Sequence, residues 1–225
     1  MKISQLHSWS LSVPEAVALQ KDLSRQVVRD DRLGPVRHVG GVDVGFEDGG
    51  RIARAAVVVL RLADLSLTTW AIARREVTFP YVPGLLSFRE MPAVLDALER
   101  LEAAPDLLLC DGQGLAHPRR FGIACHLGLI AGLPSIGVAK SRLVGTHDEP
   151  GPGRGDRAPL VDRGEVIGAV LRTRIRVKPV YVSIGHRVSL EAAIDYVMRC
   201  TTRYRLPEPT RLADKLSRSD KPPLI

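Results

Sequence analysis

Two aspartates stand where an otherwise apolar chain would not be expected to place them. Asp43 interrupts Gly40-Gly41-Val42-Asp43-Val44-Gly45, and Asp111 follows Leu107-Leu108-Leu109-Cys110 just before Gly112-Gln113-Gly114. A carboxylate in such a run is expensive unless it is paired or holds a cation. If the two segments are neighbouring strands, their carboxylates converge, and neither tolerates the other without positive charge between them. Oxygen ligands without a Cys or His cluster at zinc spacing suit Mg²⁺ or Mn²⁺. The plainer alternative for Asp43 is a strand-end side chain that bonds the next turn. Glu90 offers a third carboxylate, although a first-turn glutamate is more often a solvated residue favoured by the helix dipole. Lys140, after Ile136-Gly137-Val138-Ala139, could neutralise a phosphate or order a water. Its alternative is a strand-end lysine that snorkels to solvent.

Two further segments suit a polyanion. His117-Pro118-Arg119-Arg120 sets an imidazole and two guanidinium groups at a helix entry, where phosphate contact is the natural use. Pro80-Tyr81-Val82-Pro83-Gly84 is a stiff, aromatic-tipped loop of the kind that wedges into a base stack, with a plain packing loop as the alternative. The 225 residues carry 32 Lys and Arg against 25 Asp and Glu, a formal net charge of +7, and 26 of the 32 cations are arginine. That excess favours a phosphate-bearing partner.

The elements that must position these residues can be read from the same chain. Hydrophobic residues at 45% and charged residues at 25% describe a globular protein with a real core. No apolar run is long enough to cross a bilayer, and the opening Met1-Lys2-Ile3-Ser4-Gln5 lacks a signal-peptide stretch, so a cytoplasmic location without membrane contact is expected. Cys110, Cys125 and Cys200 are odd in number and widely spaced, which predicts buried, reduced thiols. Ser12-Val13-Pro14-Glu15 is a capping box opening a helix that the apolar spacing carries to Val28. Segments 37–46, 52–63 and 67–77 predict three antiparallel strands, the first two joined at Asp48-Gly49-Gly50. Helical spacing over 86–101, a continuous apolar run at 107–110, a helix over 121–131 and a short run at 135–139 then alternate as parallel strands with crossover helices. The expected fold is a mixed α/β sheet with helices on both faces and one domain spanning 1–225. Residues 145–164 carry too much Gly and Pro for regular structure and predict a mobile surface loop. Strands near 166–172 and 180–184, a helix over 190–202 and a short helix from Pro209 into a polar tail complete the chain.

Taken together, five collinear segments resemble the endonuclease V family: Gly-Val-Asp-Val-Gly at 41–45, Pro-Tyr-Val-Pro-Gly-Leu-Leu-Ser-Phe-Arg-Glu at 80–90, Asp-Gly-Gln-Gly-Leu-Ala-His-Pro-Arg-Arg at 111–120, Gly-Val-Ala-Lys-Ser at 137–141 and Arg-Leu-Pro-Glu-Pro-Thr-Arg-Leu-Ala-Asp at 205–214. The resemblance implies an RNase H-like fold. It also implies a metal-dependent endonuclease that cuts the second phosphodiester bond 3′ to deoxyinosine. By position it makes Asp43 and Asp111 metal ligands, with Glu90 and Asp214 as further carboxylates that join them in the metal set, and Asp43, Glu90, Asp111 and Lys140 the catalytic residues. It sets Lys140 beside the scissile phosphate, makes Pro80, Tyr81 and Val82 a strand-separating wedge, and brings His117 and Arg119 near the DNA backbone. Gly84, Leu86, Gly112 and Ile123 fall at positions lining a pocket for an everted base. Related sequences carry either His or Asp where this chain has Asp214, and Gln113 falls where His is common. The implied partners are deoxyinosine-containing DNA, with inosine-containing RNA as an alternative substrate, and a monomer is expected. Asp43-Val44-Gly45 also resembles the Asp-x-Gly phosphate turn of sugar kinases and actin-like ATPases, so a phosphotransferase is the competing enzyme reading. A noncatalytic nucleic-acid-binding module with structural carboxylates is the other.

Overall fold

The computed structural model describes residues 3 and 5–219; the polar tail beyond them and most of the opening segment read above lie outside the described residues. Helix α1, Val13–Ser24, starts at the capping box: the Ser12 side chain accepts from the Glu15 amide, and Glu15 in turn accepts from the Ser12 amide at 2.7 Å. It stops four residues before the expected Val28. There the backbone leaves the helix to pair elsewhere, with the Val28 amide donating to His186 Nδ1 at 3.2 Å and the Val28 carbonyl accepting from the Arg187 amide at 2.7 Å.

Three ten-residue strands follow as antiparallel neighbours, β1 (His38–Glu47), β2 (Ile52–Arg61) and β3 (Leu67–Glu76). After the proline loop comes α2 (Leu86–Glu99), then β4 (Leu107–Cys110), α3 (Ile123–Ala131) and β5 (Ser135–Ala139). β4 lies parallel to β1 on one side and to β5 on the other, and all four of its residues are buried. This is the physical meaning of the unbroken apolar run: a central parallel strand covered on both faces has no polar side. The remaining strands, β6 (Arg157–Asp162), β7 (Glu165–Leu171) and β8 (Val180–His186), return antiparallel, so the eight-stranded order is β3-β2-β1-β4-β5-β8-β7-β6 and the parallel part is limited to β1-β4-β5. α2 and α3 pack on one face, against Val42, Leu108 and Cys110. On the other face α4 (Leu190–Arg199) packs against Leu109 and Val182, and α5 (Glu208–Ser217) covers Val58 and Leu60. All three cysteines are buried and free, as expected.

The expectation that 145–164 lacks regular structure is corrected. β6 lies inside it, Thr146 and Val161 exchange backbone hydrogen bonds at 2.8 and 2.9 Å, and Arg172 Nε pins the Gly151 carbonyl at 2.6 Å. Most of the Gly and Pro of this stretch falls in the connection before β6, and one proline, Pro159, lies inside the strand. A proline is excluded from a central strand, but β6 is the last strand of the sheet, and Pro159 pairs with Ala169 of β7 while the bridge to Thr146 on the outer side falls at Val161.

Candidate metal centre and adjoining base pocket

Register decides the site. Val42 lies opposite Cys110 across the parallel β1–β4 pair, and the Asp111 amide donates to the Val42 carbonyl at 3.0 Å. Val42 and Cys110 both face α2 and α3, so one residue further on Asp43 and Asp111 both turn to the opposite face, side by side at the carboxyl end of the sheet. Open α/β sheets put their ligands there.

The opposite face is closed by α5, which comes very near because residue 41 is glycine: a Cβ there would sit 2.0 Å from the Pro209 carbonyl group. That approach brings the third carboxylate, Asp214, and the Ser217 hydroxyl, which donates to Asp43 Oδ2 at 2.6 Å. One oxygen each from Asp43, Asp111 and Asp214 lies within 4.8 Å of the others. Lys140, at the end of β5, supplies the local positive charge, with Nζ 2.5 Å from Asp111 Oδ2 and 2.7 Å from Asp214 Oδ1. Arg218 reaches the same Asp214 oxygen at 2.9 Å from an exposed position.

The carboxylates still outnumber their cations. Burial, with the charges of Asp111 and Asp214, pushes the Asp43 carboxyl up to about 6 despite the Ser217 hydrogen bond. Glu90 does not sit in the first turn of α2 and is not solvated, which corrects the plainer reading of it. It is the fifth residue of the helix and only 8% exposed, and burial plus Asp43 and Asp111 drive it up to about 8. It approaches from the α2 face and is not one of the three clustered ligands. Asp111 Oδ2 is buried, and apart from its ion pair with Lys140 no hydrogen-bond donor is aimed at it. An oxygen-only set whose negative charge exceeds the local positive charge fits a hard divalent cation.

Beside the cluster is a cavity of about 400 Å³. Tyr81, Val82, Gly84 and Leu86 line one side, Gly112, His117 and Ile123 line the floor, and Lys140 with Ser141, Arg142 and Leu143 forms the far wall. Tyr81 stands at the tip of its loop, 71% exposed. The loop is held through one carbonyl at Gly84, whose φ of +78° suits glycine. That carbonyl accepts from Gln20 Nε2 at 3.0 Å, His117 Nε2 at 3.0 Å and Arg119 Nη2 at 2.7 Å. His117 accepts the Arg119 amide at Nδ1, so both ring nitrogens are engaged, and burial holds the imidazole neutral with its pKa down at about 4. His117 therefore buttresses the Tyr81 loop from within.

Pro80 is exposed at the loop base, and neither it nor Arg119 lines the cavity. Arg119 also donates through Nε to Gln20. The expectation that Arg120 contacts phosphate is corrected: its guanidinium is taken by Glu165 at 2.7 Å and Asp162 at 2.8 Å, which fasten the α3 entry to the β6–β7 hairpin. Sequence reasoning missed Ser217, Gln20 and the 141–143 wall. Only Gln20 left a trace, as a polar residue buried in the inward side of α1.

The endonuclease V family model matches residues 21–215. An endonuclease V of Trichormus variabilis is 58% identical over 218 residues, covering 96% of this chain and 99% of that protein. The crystal structure of the endonuclease V from Streptomyces avermitilis is similar at a TM-score of 0.90 and 48% identity, covering 94% and 93% of the two chains. The endonuclease V of Ciona intestinalis, solved in complex with a DNA containing an inosine followed by a ribo-adenosine, is similar at a TM-score of 0.79 and 30% identity over 92% and 96%.

Proposed function

Because this chain belongs to the endonuclease V family, we propose that it is an inosine-specific DNA repair endonuclease, a hydrolase that nicks the second phosphodiester bond 3′ to deoxyinosine. The observation that carries the reading is the convergence of Asp43, Asp111 and Asp214 within 4.8 Å beside a cavity walled by the Tyr81 loop. The phosphotransferase and the noncatalytic module are not favoured by this family membership.

Hypoxanthine carries a carbonyl where adenine has an amine, so it pairs weakly with thymine and everts at less cost than a normal base. Tyr81 and its prolines fill the gap in the stack, and the cavity takes the base between Leu86 and Ile123, with Gly112 allowing backbone to approach its edge. Asp43, Asp111 and Asp214 would hold a divalent ion, Mg²⁺ with Mn²⁺ as a substitute, and Glu90 adds negative charge behind them. When bound, such an ion polarises the scissile phosphate and lowers the pKa of an attacking water. Ser217 fixes the orientation of the Asp43 carboxylate, and Lys140 neutralises charge on the phosphate. The protein works as a single-domain monomer in the cytoplasm.

The test is a nicking assay on matched duplexes with and without one deoxyinosine, and on an inosine-containing RNA, in Mg²⁺, Mn²⁺ and EDTA. The expected result is one nick on the deoxyinosine strand, dependent on the metal. Equal cutting of the unmodified duplex would reject the reading, and preferred cutting of the RNA would shift its substrate.

A further inference from the structure

A second depression of about 600 Å³ adjoins the catalytic cluster. It shares Lys140, Ser141 and Arg142 with the base cavity and runs on to Arg176, Lys178 and Arg205. Its cations differ in their freedom. Arg172 is enclosed, donating to the Gly151, Pro150 and Val177 carbonyls and pairing with Glu149 at 2.6 Å. Arg205 is a strut, joining the Lys140 carbonyl at 2.7 Å to the Pro179 carbonyl at 2.6 Å, so the floor of the groove is tied to the backbone of the catalytic lysine. Arg142, Arg176 and Lys178 are exposed, and among the described residues no carboxylate pairs with any of them. Exposed cations that have no acidic partner, beside a site for a phosphodiester, are a phosphate track.

Another basic recess, with Lys21, Arg119, Arg120 and Arg163, keeps fewer cations free, since Arg119 is held by Gln20 and the Gly84 carbonyl. There Arg120 is consumed by Asp162 and Glu165, and Arg163 lies 3.9 Å from Asp162.

Resting on the proposed deoxyinosine-directed cleavage, we propose that the groove of Arg142, Arg176 and Lys178 binds the backbone of the nicked strand on the 3′ side of the cut. Cleavage 3′ to the lesion sets the polarity. A strand that leaves its base in the cavity meets the acidic cluster next, and the path continues past Lys140 into this groove. The groove thus contacts two or three phosphates downstream of the scissile bond and reads no base.

The experiment compares the wild-type protein with the double variant Arg176→Gln/Lys178→Gln on two deoxyinosine duplexes in Mg²⁺, one with a long 3′ arm and one whose 3′ arm ends just past the scissile bond. On the long arm the double variant should raise KM about tenfold at moderate salt, leave kcat within about twofold, and flatten the log–log salt dependence of affinity by about 1.4 to 1.8, the release expected for two lost phosphate contacts. On the short arm the two proteins should have the same KM. The charge-keeping variant Arg176→Lys/Lys178→Arg should restore the wild-type KM on the long arm. An equal KM rise on both duplexes, no rise on either, or a failed rescue would overturn the assignment. A wild type that discriminates deoxyinosine from the matched duplex while the double variant tracks it on both arms loses the groove alone. A wild type that does not discriminate loses the parent reading, and the groove with it.

Discussion

Helix α2 carries two buried polar side chains three residues apart that live in opposite electrostatic regimes. Ser87 enters an aromatic cluster: His126 Nδ1 meets the Ser87 hydroxyl at 3.0 Å, His126 Nε2 meets His7 Nε2 at 2.8 Å, and Trp9, Phe88 and Phe121 pack around the rings. Every polar atom of the His126 ring has a partner, and burial keeps it neutral with its pKa down at about 3. Glu90 faces the acidic cluster, where among the described residues no hydrogen-bond donor reaches it and the carboxylates of Asp43 and Asp111 oppose its ionisation. One region is built for stability, because its groups are satisfied without ligand. The other keeps negative charge unsatisfied so that a cation is needed, and active sites commonly hold such strain.

The sharpest break between the two regions is chemical. Asp111→Ala should reduce nicking of a deoxyinosine duplex by at least about 10³-fold in Mg²⁺, the scale of losing a main electrostatic group, while preserving duplex binding; full cleavage by that variant would remove Asp111 from the chemistry. Tyr81→Ala should come next, losing about 10- to 100-fold on duplex deoxyinosine and far less on the same lesion in single-stranded DNA, because an unpaired base needs little opening. Equal losses on both substrates would count against a wedge.

The metal-free protein should show the contrast as two arms of its stability profile. Asp43 and Glu90 have folded-state values near 6 and 8, above ordinary carboxylates, so the native state holds the extra protons. Their contribution is therefore present in acid and is lost as pH rises from about 4 towards 8. His126, His117 and His186 are depressed to about 3, 4 and 4, so the unfolded chain holds the extra protons and stability is lost as pH falls below about 6.5. Thermal melts in EDTA should show Asp43→Asn flattening the neutral arm and raising Tm at pH 8 by about 2–8 °C, with Mg²⁺ raising the wild-type Tm more than the variant's. No gain in the variant would mean the cluster is not strained.

The smallest expected effect lies in the aromatic cluster. Ser87→Ala leaves His126 Nδ1 unsatisfied and should lower stability by about 1–3 kcal/mol, and because Ser87 also borders the cavity its effect on KM should stay well below that of Tyr81→Ala. A loss of activity without a loss of Tm would reverse the assignment of the two regions.

Much of this was legible in the chain before any coordinates. The apolar run at 107–110 announced a strand covered on both faces, the capping box set the start of α1, and the misfit of Asp43 and Asp111 marked the site, since each of these signals depends on a residue and its immediate neighbours. The Gly and Pro content of 145–164 hides β6, because an edge strand tolerates Pro159 and strand order is not encoded in local composition. The weight of Glu90 was misjudged for the same reason: a helical glutamate is solvated or buried according to what packs on its face. Ser217 and the engagement of His117 and Arg119 with Gly84 join segments far apart in the chain, 174 residues in the case of Ser217 and Asp43. Residue type and spacing determined which groups could bind a hard cation. Only the parallel β1–β4 register and the close approach of α5 over Gly41 decided that they lie near enough to share one, because carboxylate repulsion falls with distance in space and is blind to distance along the chain.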